Sequence, residues 1–187
     1  MKKVTLGIAA VLLAGLLAAP VSATVMIPLS DADLVQHANT IVVGKAIALQ
    51  SVREGGQIAT HITIDIQETL KGTAHEQVEV WVPGGFDNSG PVPVGTLVPG
   101  APMFFPNEEV LLFLEQPAGL KSNNYVVLGL VQGKFSVVTD PAGEKSYVRR
   151  VLGGFHLPNG EAVSNEKTVV ALDAFKARIQ HLMDQAQ

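Results

Sequence analysis

Apolar and polar positions alternate most clearly between residues 58 and 82. Ile58, Thr60, Ile62, Ile64 and Ile66 interleave with Ala59, His61, Thr63, Asp65 and Gln67. A period of two places one set on each face of a strand. Lys71-Gly72-Thr73-Ala74 reads as a turn. Val78, Val80 and Val82 then resume the period, opposite Gln77, Glu79 and Trp81. The pattern predicts an antiparallel hairpin with Ile62, Ile64, Ile66, Val78, Val80 and Val82 on one core face.

The flanking segments fit the same scheme. Ser30 stands before Asp31-Ala32-Asp33-Leu34-Val35-Gln36-His37-Ala38, an N-cap followed by acidic residues where a helix N-terminus favours them. This predicts a short helix over 31–38, with Leu34, Val35 and Ala38 inward and Asn39 ending it in a left-handed turn. The β-branched start of 40–49 predicts a strand, in which Gly44 marks a bend, a bulge or a close backbone approach. Val110-Leu111-Leu112-Phe113-Leu114 is apolar on both faces and predicts a strand covered on both sides. Further strands are expected over 125–131, 134–139 and 146–152. Thr168 caps an expected C-terminal helix, about 168–184, whose Leu172, Phe175, Ile179, Leu182 and Met183 recur at helical spacing.

Residues 83–107 break the rhythm with six prolines and five glycines. An edge strand within 92–98 and an ordered, proline-stiffened excursion are expected, because Val94, Leu97, Met103, Phe104 and Phe105 are too apolar for a plain linker. Short strands, one long hairpin and flanking helices together predict a mainly β fold. It is a small antiparallel OB-like barrel with a short N-terminal helix and a C-terminal amphipathic helix, or alternatively a β-sandwich.

The chain starts with Lys2-Lys3, an uncharged apolar run from Val4 to Ala19, and small residues at Val21-Ser22-Ala23. That is the pattern of a secretory signal peptide, 1–23. The remaining 164 of 187 residues form one expected domain, 24–187. Without Lys2 and Lys3, 11 basic residues face 17 acidic ones, a net charge of −6. An acidic chain without a basic cluster is a poor nucleic-acid binder. No other segment is long and apolar enough to span a membrane. With no cysteine, disulfides, thiolate nucleophiles and cysteine-ligated metal are excluded. The chain is expected to be exported, periplasmic or extracellular.

The candidate chemistry is sparse. His75-Glu76-Gln77-Val78-Glu79 lies one residue away from the His-Glu-x-x-His zinc motif. That motif needs both histidines on one helical face. Here the fourth position is Glu79, and the valine alternation makes the segment a strand, on which residues four apart are separated by about 13 Å. No metal, cofactor or catalytic residue is therefore expected. Asp87-Asn88-Ser89-Gly90 is a common turn composition. Trp81, the single tryptophan, faces away from the hairpin core beside His61 and Thr63. With Phe86 these residues form the candidate partner surface, since exposed aromatics are frequent interface anchors. The C-terminal helix or the excursion is expected to cover much of Trp81, because its apolar stripe needs burial.

The segments IPLSDADLVQHANTIVVGKAIAL, IATHITIDIQETLKG, VEVWVPGG, VPGAPMFFPNEEVLLFLE and YVVLGLVQGKF resemble, over about residues 24–150, a family of small exported bacterial proteins. A more distant resemblance is to the netrin-like domain, the OB-type barrel of the tissue inhibitors of metalloproteinases. It rests on Leu70-Lys71-Gly72 and on the strand from Ile41 to Ala46. The resemblance implies an exported, non-catalytic binding domain with a protein or cell-surface partner, linked to a secreted metalloprotease. Those inhibitors chelate zinc through an N-terminal cysteine that this chain lacks, so that mechanism does not carry over. The alternative is a hydrolase using Asp87, Ser89, Glu108 and Glu109 of the 83–109 excursion. N-terminal sequencing of the exported protein should read Thr24 first; Met1 retained in a membrane fraction would overturn the export reading.

Overall fold

A computed structural model describes residues 27–119, 123–143, 146–150 and 168–186. The expected signal peptide, and the end of the strand expected to reach Leu152, lie outside the described residues. The elements are α1 (Asp31–His37), β1 (Thr40–Glu54), β2 (Gln57–Lys71), β3 (Gln77–Pro83), β4 (Gly85–Asp87), β5 (Val94–Thr96), β6 (Glu109–Glu115), β7 (Asn124–Val127), β8 (Lys134–Thr139), β9 (Ser146–Arg150), β10 (Thr168–Ala171) and α2 (Leu172–Gln185).

Five strands close on themselves in the order β1-β2-β3-β7-β6, with β6 returning to β1. This closed ring is the OB-like barrel expected from the sequence, and closure decides against the sandwich. One pairing departs from the antiparallel expectation: β3 and β7 run parallel, with Trp81 opposite Val126. The expected hairpin of β2 and β3 is present and antiparallel, with His61 opposite Trp81 and Ile64 opposite Val78, and β1 pairs antiparallel with the other edge of β2. Ile62, Ile64, Val78, Val80 and Val82 are buried in the barrel, and Ile66 packs against them. Gly44 is required where β1 crosses β2 after a register shift, because a Cβ there would lie 2.5 Å from the Asp65 carbonyl oxygen.

The strand β6 divides the molecule. Val110, Leu112 and Leu114 point into the barrel, whereas Leu111 and Phe113 belong to a second apolar core outside it. Leu34, Val35 and Ala38 of the α1 region, Phe175 and Ile179 of α2, and Phe135 fill that second core. Phe113, Phe135 and Phe175 form an aromatic cluster, with centroids 4.8 to 6.4 Å apart.

Local signals account for most boundaries. Ser30 and Asp33 make a capping box at the start of α1. Asn39 does not end α1 in a left-handed turn: Ala38 is the extended cap residue. Asn39 instead bridges to β6, donating its N–H to Leu114 O and accepting from Gln116 N through its side chain. Lys71 Nζ donates to the carbonyls of Val35 at 2.6 Å and Ala38 at 2.7 Å, satisfying the end of α1. Desolvation there lowers the Lys71 pKa. The strand expected over 125–131 stops early. Gly129 and Leu130 adopt left-handed conformations, and a 3₁₀ turn, Leu130–Gly133, redirects the chain from β7 to β8. The C-terminal helix starts at Leu172, because Thr168–Ala171 pairs with β9 instead.

Ile64 is fully buried and Thr63 only half-buried. Ile64→Ala should destabilise by about 2–5 kcal/mol, and Thr63→Ala by roughly 0.5 kcal/mol. Denaturant melts of both variants check the face assignment, and equal losses would refute it.

Candidate functional site

The excursion between β3 and β6 lies across one end of the barrel. Its β4 and β5 form a separate two-stranded sheet, Gly85 opposite Thr96 and Asp87 opposite Val94. Polar contacts tie it down along its length. Arg53 Nε donates to Asp87 Oδ2 at 2.9 Å. Val131 N donates to Gly100 O at 2.9 Å. Phe105 N donates to Glu108 Oε2 at 3.1 Å. The Ser89 hydroxyl and N–H, with Arg53, hold the Asp87 carboxyl down at about 2. The folded value is depressed, so this hold is complete above the unfolded carboxylate's pKa, roughly 4. It is lost as pH falls through about 2.

Beneath the excursion lies an open cavity of about 450 Å³. Leu49, Ile62 and Val82 of the barrel form its floor side, and Phe86, Leu97, Val98, Met103 and Phe104 its outer wall. Among the described residues no charged one lines it. Phe86 is 72%, Leu97 88%, Met103 65% and Phe105 58% exposed. Of the eleven exposed large hydrophobic residues among the described ones, six fall within 83–107, and three of these, Phe86, Leu97 and Met103, line the cavity.

Three hydroxyl-bearing residues line the cavity, Ser51, Thr60 and the exposed Thr96, and the first two are bonded to each other. Thr60 Oγ1 donates to Gly84 O at 2.8 Å, and Ser51 Oγ lies 3.0 Å from Thr60 Oγ1. Phe86 N donates to Ser51 Oγ at 3.2 Å. Gly85 permits this approach, since a Cβ there would collide with both hydroxyl oxygens. Gly95 gives room to the Phe86 ring in the same way: its Cβ would stand 2.9 Å from Phe86 Cε1.

The sequence-based candidates separate into two places. His61, Thr63 and Trp81 share the outward face of β2 and β3, whereas Phe86 belongs to the mouth. His61 and Trp81 stack with centroids 4.2 Å apart and planes 19° from parallel. His61 Nδ1 lies 3.3 Å from Glu79 Oε1, and Nε2 lies 3.7 Å from Glu54 Oε1. Trp81 Nε1 donates to Glu79 Oε1. The expectation that the C-terminal helix covers Trp81 is not met. The stripe of α2 packs instead on the second core, through Phe175 and Ile179. His61, the cross-strand neighbour, half-covers the indole.

The hydrolase candidates do not converge. Asp87 and Ser89 bond to each other. Glu108 is engaged by Lys134 Nζ and Ser136 Oγ, each at 2.6 Å, with Lys134 also over the Phe104 ring at 5.0 Å. None of Asp87, Ser89, Glu108 and Glu109 lines the cavity. His75 and Glu76 are exposed residues ahead of β3. Sequence reasoning placed Thr60 in the alternation of the 58–70 strand and assigned Ser51 to no element. The available signal was the close run of Pro83-Gly84-Gly85, which brings backbone onto these hydroxyls.

No family model matches the chain, and no curated protein matches it.

The stacked pair gives a direct readout. In His61→Ala the imidazole that lies on the indole is removed, so Trp81 emission should move to longer wavelength and acrylamide quenching should rise. An unchanged spectrum and unchanged quenching would show that the stack does not shield Trp81.

Proposed function

We propose that this chain is an exported, non-catalytic binding domain that takes a protein partner at the open end of its barrel. The observation that supports the reading is the coincidence of a cavity with no charged residue among its described lining and exposed Phe86, Leu97 and Met103 in its wall. Contiguous apolar surface left in water is unfavourable, and on proteins it marks interaction sites. Residues such as Phe and Met at the centre of such a patch supply most of the binding energy when they are desolvated by a partner. The resemblance to netrin-like inhibitors makes a secreted metalloprotease the first partner to examine, by a contact that does not involve an N-terminal cysteine.

A photo-crosslinking amino acid at Leu97 tests this in the exported fraction. A protein adduct should form from position 97 and be absent from position 65, where Asp65 lies on the opposite outward face of β2. Leu97→Asp combined with Met103→Asp should lower capture by at least about tenfold, because two desolvated anchors are lost. Adducts from position 65 in place of 97 would transfer the partner surface to the Trp81 face and overturn the proposal.

A further inference from the structure

We infer that the partner anchors itself in the cavity with a tyrosine or tryptophan side chain, an apolar ring carrying a hydrogen-bond donor. This rests on the reading of the mouth as a partner site. The direction of the hydrogen bonds in the wall carries it. A hydroxyl has one proton and two lone pairs. Thr60 Oγ1 gives its proton to Gly84 O. In the contact of 3.0 Å between the two hydroxyls, Ser51 must therefore be the donor. Ser51 Oγ also accepts from Phe86 N. Both protons are thus committed, while each oxygen keeps one accepting position. The pair can receive a proton from a guest and has none to offer; the third hydroxyl residue of the lining, Thr96, is exposed to water.

The rest of the lining narrows the guest further. Among the described residues no cation lines the cavity to pair a carboxylate, and no carboxylate lines it to pair an ammonium or a guanidinium. Arg53 and Asp87 at the nearby hairpin neutralise each other. A charged side chain would lose hydration without compensation. A purely apolar ring would fill the space but leave the accepting oxygens desolvated and unpaired, which costs affinity. Tyrosine and tryptophan combine a large apolar body with one donor, and they are the residues most enriched at interface centres. The cavity volume of about 450 Å³ is within the range of small-molecule sites, so it admits such a ring together with part of the adjoining backbone.

Small probes isolate the anchor chemistry from the rest of the interface. Titration of the mature protein with p-cresol, toluene, 4-methylanisole and p-toluate, followed by NMR shifts of Leu97 and Met103 methyl groups, gives four affinities. The expected result is p-cresol tighter than toluene and 4-methylanisole by about fivefold, the worth of one neutral hydrogen bond. No binding of p-toluate is expected. In Ser51→Ala and in Thr60→Val, both checked for folding by circular dichroism, the preference for p-cresol should fall to near unity. Equal affinity for p-cresol and toluene in the wild type would overturn the inference, as would a preference that survives both substitutions. Crosslinking at position 97 that persists without a p-cresol preference would leave the partner site standing and remove only its tyrosine or tryptophan anchor.

Discussion

The burial of β6 on both faces is the constraint on which the fold depends. Its five central residues, Val110 to Leu114, are all fully buried. Each such side chain gains roughly 1.5–3 kcal/mol on leaving water. Alternation sends Val110, Leu112 and Leu114 one way and Leu111 and Phe113 the other, so a single layer of structure cannot satisfy them. The barrel covers one face. The second face needs α1, α2 and the β8–β10 extension, which explains why a small barrel carries helices at all. The edge of β6 is also shared: Leu114 and Glu115 pair with β7, and Val110 to Leu112 pair with β8. The left-handed Gly129 and Leu130 let the chain close the ring through β7 and then depart from it.

The polar contacts serve this two-sided arrangement. Leu70-Lys71-Gly72 illustrates it. Leu70 packs against the second core, Lys71 caps α1, and Gly72, at φ 75°, passes Asn39 O where a Cβ would clash. Gln132, only 4% exposed, accepts from Leu29 N and donates to Ile27 O, fixing the segment that leads into α1. At the far end of the helix layer, Lys176 pairs with Glu68 and Arg178 with Asp31. Exposed pairs of this kind contribute little energy, so the orientation of α2 is set chiefly by Phe175 and Ile179.

Period and composition made the barrel walls legible. The alternation in 58–82 and the doubly apolar 110–114 run are local records of burial, and both elements appear where that record puts them. What stayed hidden is what depends on contacts distant in sequence. The parallel pairing of β3 with β7 joins segments more than forty residues apart and leaves no local trace. Thr168–Ala171 reads as the first turn of a helix until β9 offers a ladder to pair with. Trp81 shows the same limit. Its outward direction was readable from the valine alternation, but its neighbour was not, because the stripe of α2 has no sequence mark that names which face of the barrel it covers. The cavity was legible only as an anomaly, apolar side chains among prolines that a plain linker would not carry.

The mouth differs physically from the rest of the surface in how its order is maintained. Elsewhere apolar side chains hold the structure by being buried. Across 83–107 the backbone is fixed by prolines, by the β4–β5 pairing and by bonds to Arg53, Val131 and Glu108, while Phe86, Leu97, Met103 and Phe105 remain in water. Their exposure is therefore not the result of an unpacked loop. Phe104 turns inward, where the Lys134 ammonium and the Glu108 carboxylate secure the chain as it enters β6. A fixed frame with undesolvated apolar side chains loses little conformational entropy on association. Asp87, Ser89 and Glu108 are engaged in that frame, and among the described residues no charged one lines the cavity. A partner of the proposed kind would meet apolar side chains already held in place, and that is the sense in which fold and proposed function meet at this end of the barrel.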